Sequence, residues 1–220
     1  MRQRSRLAVI AACLGSLALW HVAAAQSAET PTASSRQKKE SAPVPVPVED
    51  GMAALTSKNS TIQFVGTHVG PKPDPRTGYF TKFVGELAVD EATGAPKAIA
   101  IEIDTASLIT AIRKLTNHLQ SVDFFDVRQY PAATFESTEI KVTDPARGKY
   151  RITGDLTLRE VTKPITFPAT AKVTDAGIVL TSKFKIKRTD FGMTFGTDSV
   201  VDDVAMTVTA GKPTPKVTPQ

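Results

Sequence analysis

Gly177–Arg188 reads GIVLTSKFKIKR. Ile178, Leu180, Ser182, Phe184 and Ile186 share one parity, and Lys183, Lys185 and Lys187 share the other. Side chains of a strand alternate between its two faces, so this stretch is a β-strand with one face covered and one face in water.

The same period of two recurs on both sides of it. Thr162–Thr174 carries Ile165, Phe167 and Val173 in phase, with Ala169 and Ala171 between them. Lys149–Arg159 carries Tyr150, Ile152, Gly154, Leu156 and Leu158. Ala132–Val142 begins with Phe135 and Ser137 inward, then switches parity near Glu139 to Ile140 and Val142, which predicts a bulge. Val200–Ala210 closes the series with Val204, Met206 and Val208. Towards the N-terminus, Lys97–Asp104 aligns Ile99, Ile101 and Ile103, and Tyr79–Asp90 aligns Phe83, Gly85, Leu87 and Val89. Thr61–Gly66 opens the domain with Ile62 and Phe64. Thr67–Gly78, with three prolines, is expected to be irregular.

One segment breaks the period. From Thr105 to about Gln120, Leu108, Ile109, Ile112, Leu115 and Leu119 recur at helical spacing, with Thr105 or Ser107 placed to cap the start. The expectation is an all-β fold of eight antiparallel strands with one helix inserted between strands three and four. Eight strands joined by short links close into an up-and-down barrel, which removes their edges. A two-sheet sandwich is the alternative.

The ends are read differently. Arg2, Arg4 and Arg6, the apolar run Leu7–Trp20 and Ala23–Ala25 form a secretory signal peptide cleaved near Ala25, which places the mature chain in a periplasm or outside the cell. Ile10–Cys13 also has the form of a lipoprotein box, but cleavage there leaves an apolar tail on the mature chain. Residues 26–51, with Pro43–Val48 alternating proline and valine, read as a disordered, proline-rich linker, and 212–220 as a disordered tail. The folded unit is 52–211.

Composition removes several function classes. Cys13 is the only cysteine and lies in the signal, so cysteine nucleophiles, cysteine metal sites and disulfides are excluded from the mature chain. Of the net charge of +5, three positive charges belong to the signal. What remains gives no case for nucleic-acid binding. No GxSxG, HExxH or P-loop is present, so no enzymatic activity and no cofactor is expected. A zinc site built on His68 and His118 needs carboxylates to complete it.

The inward faces are small in places: Gly85, Ser137, Gly154, Ala169, Ala171 and Ser182. Phe64, Phe83, Phe135, Tyr150, Phe167 and Phe184 sit nearer the strand ends. Small inward residues favour a ligand cavity in a barrel of this size, or equally a bent, filled interior. Asn117–Pro131, NHLQSVDFFDVRQYP, joins the helix to strand four. Its His118, Phe124 and Phe125 are placed to line or gate a cavity, with one of the two phenylalanines facing in if the segment is extended. Asp123 and Asp126 are expected to cap turns. Arg188 has inward parity at a strand end, where it meets a ligand head group or pairs with Asp190.

Three stretches carry a family resemblance: NHLQSVDFFDVRQYPAATFES from Asn117, GDLTLREVTKPITF from Gly154 and KRTDFGM from Lys187. Their order and spacing resemble the YceI-like family over most of residues 57–210. The resemblance implies a lipocalin-like barrel, export, and an elongated pocket for a polyisoprenoid, quinone or other long-chain lipid, bound for transport or storage. It implies contact with a membrane only transiently, for lipid exchange, and leaves room for a homodimer. No catalytic residues come with it. Two departures bear on polar groups near the pocket: His68 is followed by the insertion PKPDPRT, and Thr116 stands where an aspartate is common.

Overall fold

The computed structural model describes residues 45–211. The signal peptide, the lipoprotein box, most of the linker and the C-terminal tail lie outside the described residues. Within them the chain forms β1 (Met52–Thr56), β2 (Ser60–His68), β3 (Asp74–Phe80), β4 (Phe83–Val89), β5 (Pro96–Asp104) and β6 (Leu108–Thr110). Then come α1 (Arg113–Leu119), β7 (Ala132–Asp144), β8 (Lys149–Leu158), β9 (Val161–Thr174), β10 (Gly177–Lys187) and β11 (Asp203–Ala210).

All eleven strands belong to one antiparallel sheet, in the order β1-β4-β5-β7-β8-β9-β10-β11-β2-β3-β6. A single curled sheet is a barrel, not a sandwich. The chain passes twice between its two ends, a seam crossed where β1 runs into β2 and β3 into β4. The eight expected strands are present. The three extra ones, β1, β3 and β6, gather at the seam.

Each extra strand has a local reason. β3 holds Pro75, yet from Asp74 to Thr77 it has a neighbour on one side only, β2. A proline is tolerated at such an edge, so the expected loop becomes a strand. The expected strand Tyr79–Asp90 is broken at Thr81–Lys82. Ser107 Oγ accepts from both backbone N–H groups there, at 3.2 and 3.0 Å. The break resets the parity, so Phe80 and Phe83 are both buried. The expected helix shrinks to seven residues. Asp104, not Thr105 or Ser107, caps a single 3-10 turn. Leu108–Thr110 then pairs with Phe80–Gly78 as β6. An apolar 3.6-residue pattern here was two short elements in sequence. The predicted bulge in β7 is found, as a register shift between Ser137 and Glu139.

The linker boundary also moves. Val46 is 1% exposed and exchanges two backbone hydrogen bonds with Ile178, each 2.9 Å. The last residues of the expected disordered spacer are thus pinned to the start of β10. They help fill one end of the barrel, where Val46, Leu87, Ile152, Ala169, Ala171, Ile178 and Leu180 form a continuous apolar cluster. A second cluster at the other end contains Phe64, Phe80, Phe83, Ile103, Leu158, Phe191 and Met193. It is less completely filled, and the site lies there.

Candidate ligand cavity

Two interior cavities lie end to end. The first, about 180 Å³, is walled by Phe64, Phe80, Leu115, Leu119, Phe124, Phe125, Leu158, Met193, Phe195 and Val204. The second, about 90 Å³, is walled by Leu55, Ile62, Phe83, Leu87, Ile99, Phe135, Ile165, Phe167, Leu180 and Phe184. Ile103, Leu156, Ile186 and Met206 belong to both walls and form the neck between them. A cavity of about 150 Å³ lined by such side chains stays dry and takes a benzene-sized guest. Two of comparable or smaller size in line suit a narrow chain.

Aromatic rings build the walls. Phe167 stacks on Phe184 at 4.3 Å between centroids, and Phe135 tilts against Phe167 at 5.5 Å. In the first cavity Phe80 touches Phe64 and Phe125, both at 5.7 Å. At its mouth His118, Phe124 and Phe195 form a triangle of edge contacts, 5.0 to 5.6 Å apart. The 120–125 segment that follows α1 is a run of turns, not extended chain, and both Phe124 and Phe125 face the cavity. Asp123 does not serve as a simple turn cap: its Oδ2 lies 2.9 Å from His118 Nε2.

Arg188 does not pair with Asp190. It is 2% exposed and donates to four carbonyls: Met193 at 2.5 Å, Phe195 at 2.7 Å, Val200 at 3.1 Å and Val201 at 3.4 Å. Those residues form the loop between β10 and β11, and three of them wall the first cavity. Arg188 therefore holds that wall in place and also borders the cavity. Asp202 lies beside it. Burial pushes the Asp202 carboxyl up, but the Thr189 backbone N–H and hydroxyl, with the charges of Lys187 and Arg188, hold it below the usual carboxylate range.

Of the residues expected at a site, Phe64, His118, Phe124, Phe125 and Arg188 border the first cavity, and Phe83, Phe135, Phe167, Ser182 and Phe184 the second. The others, Gly85, Ser137, Gly154, Ala169 and Ala171, line neither cavity. A Cβ on Gly154 would lie 2.4 Å from Glu136 O and 2.5 Å from Phe135 Cζ. One on Gly85 would lie 2.6 Å from Ala100 O. These glycines admit neighbours; they do not leave space. Ala169 and Ala171 sit in the packed end. Ser137 Oγ accepts from Ile99 N–H at 2.8 Å, beside the bulge. Ser182 borders the second cavity, but its hydroxyl donates to Pro168 O at 2.6 Å.

Comparison with known proteins agrees with this architecture. The family model described as "YceI-like domain" matches residues 54–211. The chain belongs to the YceI-like family. A UPF0312 protein of Vibrio cholerae is 37% identical over 134 residues, 57% of this chain and 69% of its own length. One of Vibrio parahaemolyticus is 44% identical over 92 residues, 42% of this chain; there the chain spans about half the relative's length, 48%. Among solved structures, BcnA of Burkholderia cenocepacia is 28% identical with a TM-score of 0.61, covering 68% of this chain and 94% of its own. A domain from Saccharophagus degradans described as polyisoprenoid binding shares the fold at 16% identity and a TM-score of 0.54, covering 72% of this chain and 95% of its own.

The YceI-like motifs from Asn117 and Lys187 thus both reach the first cavity, and the one from Gly154 to Phe167 runs from it to the second. The segment from Asn117 forms the mouth, and the segment from Lys187 anchors the wall opposite. Several cavity residues were visible only as strand packing in the sequence, among them Ile103, Leu156, Ile186, Val204 and Met206. Phe195 and Arg76 had no signal, because both lie where no regular element was expected. Among the described residues no group of three or more His, Cys, Asp or Glu is arranged to hold a metal ion.

Proposed function

We propose that this protein binds one narrow isoprenoid-type lipid in its barrel interior and carries or stores it outside the cytoplasm, without changing it chemically. The observation that carries this reading is the pair of apolar cavities that share a boundary of four aliphatic side chains. Such a shape excludes compact or strongly hydrated ligands and accepts a flexible chain threaded from the mouth. At about 25 cal/mol per Å², a chain burying a few hundred Å² gains several kcal/mol before entropic costs. The polyisoprenoid-binding description of the Saccharophagus degradans domain supports the ligand class, and the N-terminal signal supports export. The test is to purify the protein natively, extract it with organic solvent and weigh what is released. One lipid per chain is expected. A protein that is empty and also refuses added polyprenols, quinones and fatty amides refutes the reading.

The contact between His118 and Asp123 favours a second reading, a lipid-modifying enzyme using that pair as an acid–base unit. It predicts a His118→Ala protein that still binds lipid but no longer turns it over. Binding and release of unaltered lipid by the wild type rules it out.

A further inference from the structure

The far end of the barrel closes on a strap that reads in sequence as spacer. Residues 45–48 are Pro45, Val46, Pro47 and Val48. Val46 is 1% exposed and Val48 is half-buried, while Pro47 between them is exposed. The valines face in and Pro47 faces out, as in a strand. Val46 and Ile178 exchange both backbone hydrogen bonds, each 2.9 Å. β9 already occupies one side of Ile178, through Val173. The strap therefore lies on the other side, where β11 has ended at the Leu180–Ala210 pair. It continues the barrel wall past the end of β11.

The strap is closely fitted and lightly held. A Cβ on Gly177 would lie 1.9 Å from Val46 O, and Gly177 has a φ of +125°, so glycine is what lets the two backbones meet. Since Val46 points its backbone at β10, Pro45 and Pro47 point theirs away, where a missing N–H costs nothing and the outer edge is blunted. Val46 makes the one bridge to β10 among the described residues. Glu49 and Met52 then close a turn with two hydrogen bonds of 2.9 Å, which leads the strap into β1.

Its position gives it a task. On the inner side Val46 belongs to the apolar cluster in which Leu55, Leu87, Ile99, Phe167, Leu180 and Ala210 also line the second cavity. On the outer side Pro47 and Val48 border a polar surface groove with Glu49, Asp50, Glu91 and Asp175. The strap is the partition between the two. A chain end that advanced past it would pass from hydrocarbon into water.

We propose that residues 45–48 are the stop at the far end of the barrel and set the longest lipid chain it accepts, with Val46 as the deciding residue. This rests on the lipid-binding reading above and deepens it: affinity rises with each isoprene unit until the chain reaches the strap, and further units add nothing.

The experiment is a displacement titration of the delipidated protein with geraniol, farnesol, geranylgeraniol and geranylfarnesol, which lengthen by one isoprene unit at each step. Each step should tighten binding by about tenfold or more up to a break, beyond which the gain falls below about twofold. Val46→Gly/Val48→Gly removes both inward side chains. It should move the break outward, so that the first alcohol beyond the wild-type break binds about tenfold more tightly. Val84→Ala, on an exposed position of β4, should leave the profile unchanged. Wild-type affinity that keeps rising through the longest alcohol, or the same break in a folded strap variant, overturns the proposal and leaves the lipid reading standing. If none of the alcohols binds, the lipid reading itself falls. Should the double variant not fold, hydrogen exchange of the wild type decides. The amides of Val46 and Ile178 bond each other's carbonyls, and should gain about threefold protection or more when the alcohol at the break binds, and none when geraniol binds. Equal protection by both alcohols, or by neither, overturns the proposal.

Discussion

Arg188→Met removes the guanidinium and keeps most of the aliphatic volume. Four carbonyls lose their donors, those of Met193, Phe195, Val200 and Val201. The bond to Val201, at 3.4 Å, is too long to count for much. The other three are short bonds from a charged donor in a buried place, worth roughly 1.5–3 kcal/mol each. Two effects reduce the sum. Removing a buried charge relieves its desolvation cost, and the freed loop can turn its carbonyls to water. The relief is limited because the charge is already well hydrogen-bonded. The net expectation is a loss of about 3–5 kcal/mol, among the larger values for a single substitution.

Urea unfolding reads this directly. With a slope near 2 kcal/mol per M, the midpoint should fall by about 2 M with the slope unchanged. Arg188→Lys should recover less than half, since an ammonium cannot reach carbonyls spread along the loop as a planar fork does. Lipid affinity should fall in the methionine variant even where it is still folded, because Met193, Phe195 and Val200 wall the first cavity. A midpoint within about 0.5 M of wild type would show that the four contacts do not hold the loop, and the account of Arg188 as its anchor would be wrong.

Other substitutions separate space from chemistry. Gly154→Val should cost about 1–3 kcal/mol by urea unfolding, because Phe135 and the Glu136 carbonyl already occupy the room its side chain needs. Met206→Trp, at the neck, should leave binding of a short-chain alcohol intact and weaken a long-chain one by about tenfold or more in a displacement assay, since burial beyond the neck is lost. Asp90 is held at about 2, below its ordinary 3.8, first by its hydrogen bond to Lys97 and then by Thr93. Its contribution is therefore present above the ordinary value and lost as pH falls towards 2. The difference in urea midpoint between wild type and Asp90→Asn should be small, as suits an exposed group, and should vanish between about pH 4 and about pH 2.

The strand pattern was legible because alternation is a direct consequence of one-sided burial. In β10 every expected inward residue from Ile178 to Phe184 is found in a core cluster or a cavity wall. The seam was not legible, for a reason that is physical. Ser107 stops one strand and starts another through two side-chain hydrogen bonds, a contact over 25 residues of sequence with no periodic trace. Leu108 and Ile109 looked helical because two elements of different type happened to present apolar residues at spacings a helix also allows.

The inward glycines show where reading by residue size goes wrong. Gly78, Gly85, Gly154 and Gly66 look alike in sequence, each a missing side chain on a strand. In the fold Gly78 receives the Phe64 ring, Gly154 receives Phe135, Gly85 lets the β5 backbone close in, and only Gly66 of these four opens onto empty space. An aromatic ring on a neighbouring strand turns an absent side chain into a contact. Cavity volume therefore follows from glycine positions left without such a ring. Gly66 meets that condition, and it does so opposite Arg76, with His68 two residues on along β2. The vacancy at Gly66 therefore adds to the first cavity, whereas Gly85 and Gly154 add nothing to the second.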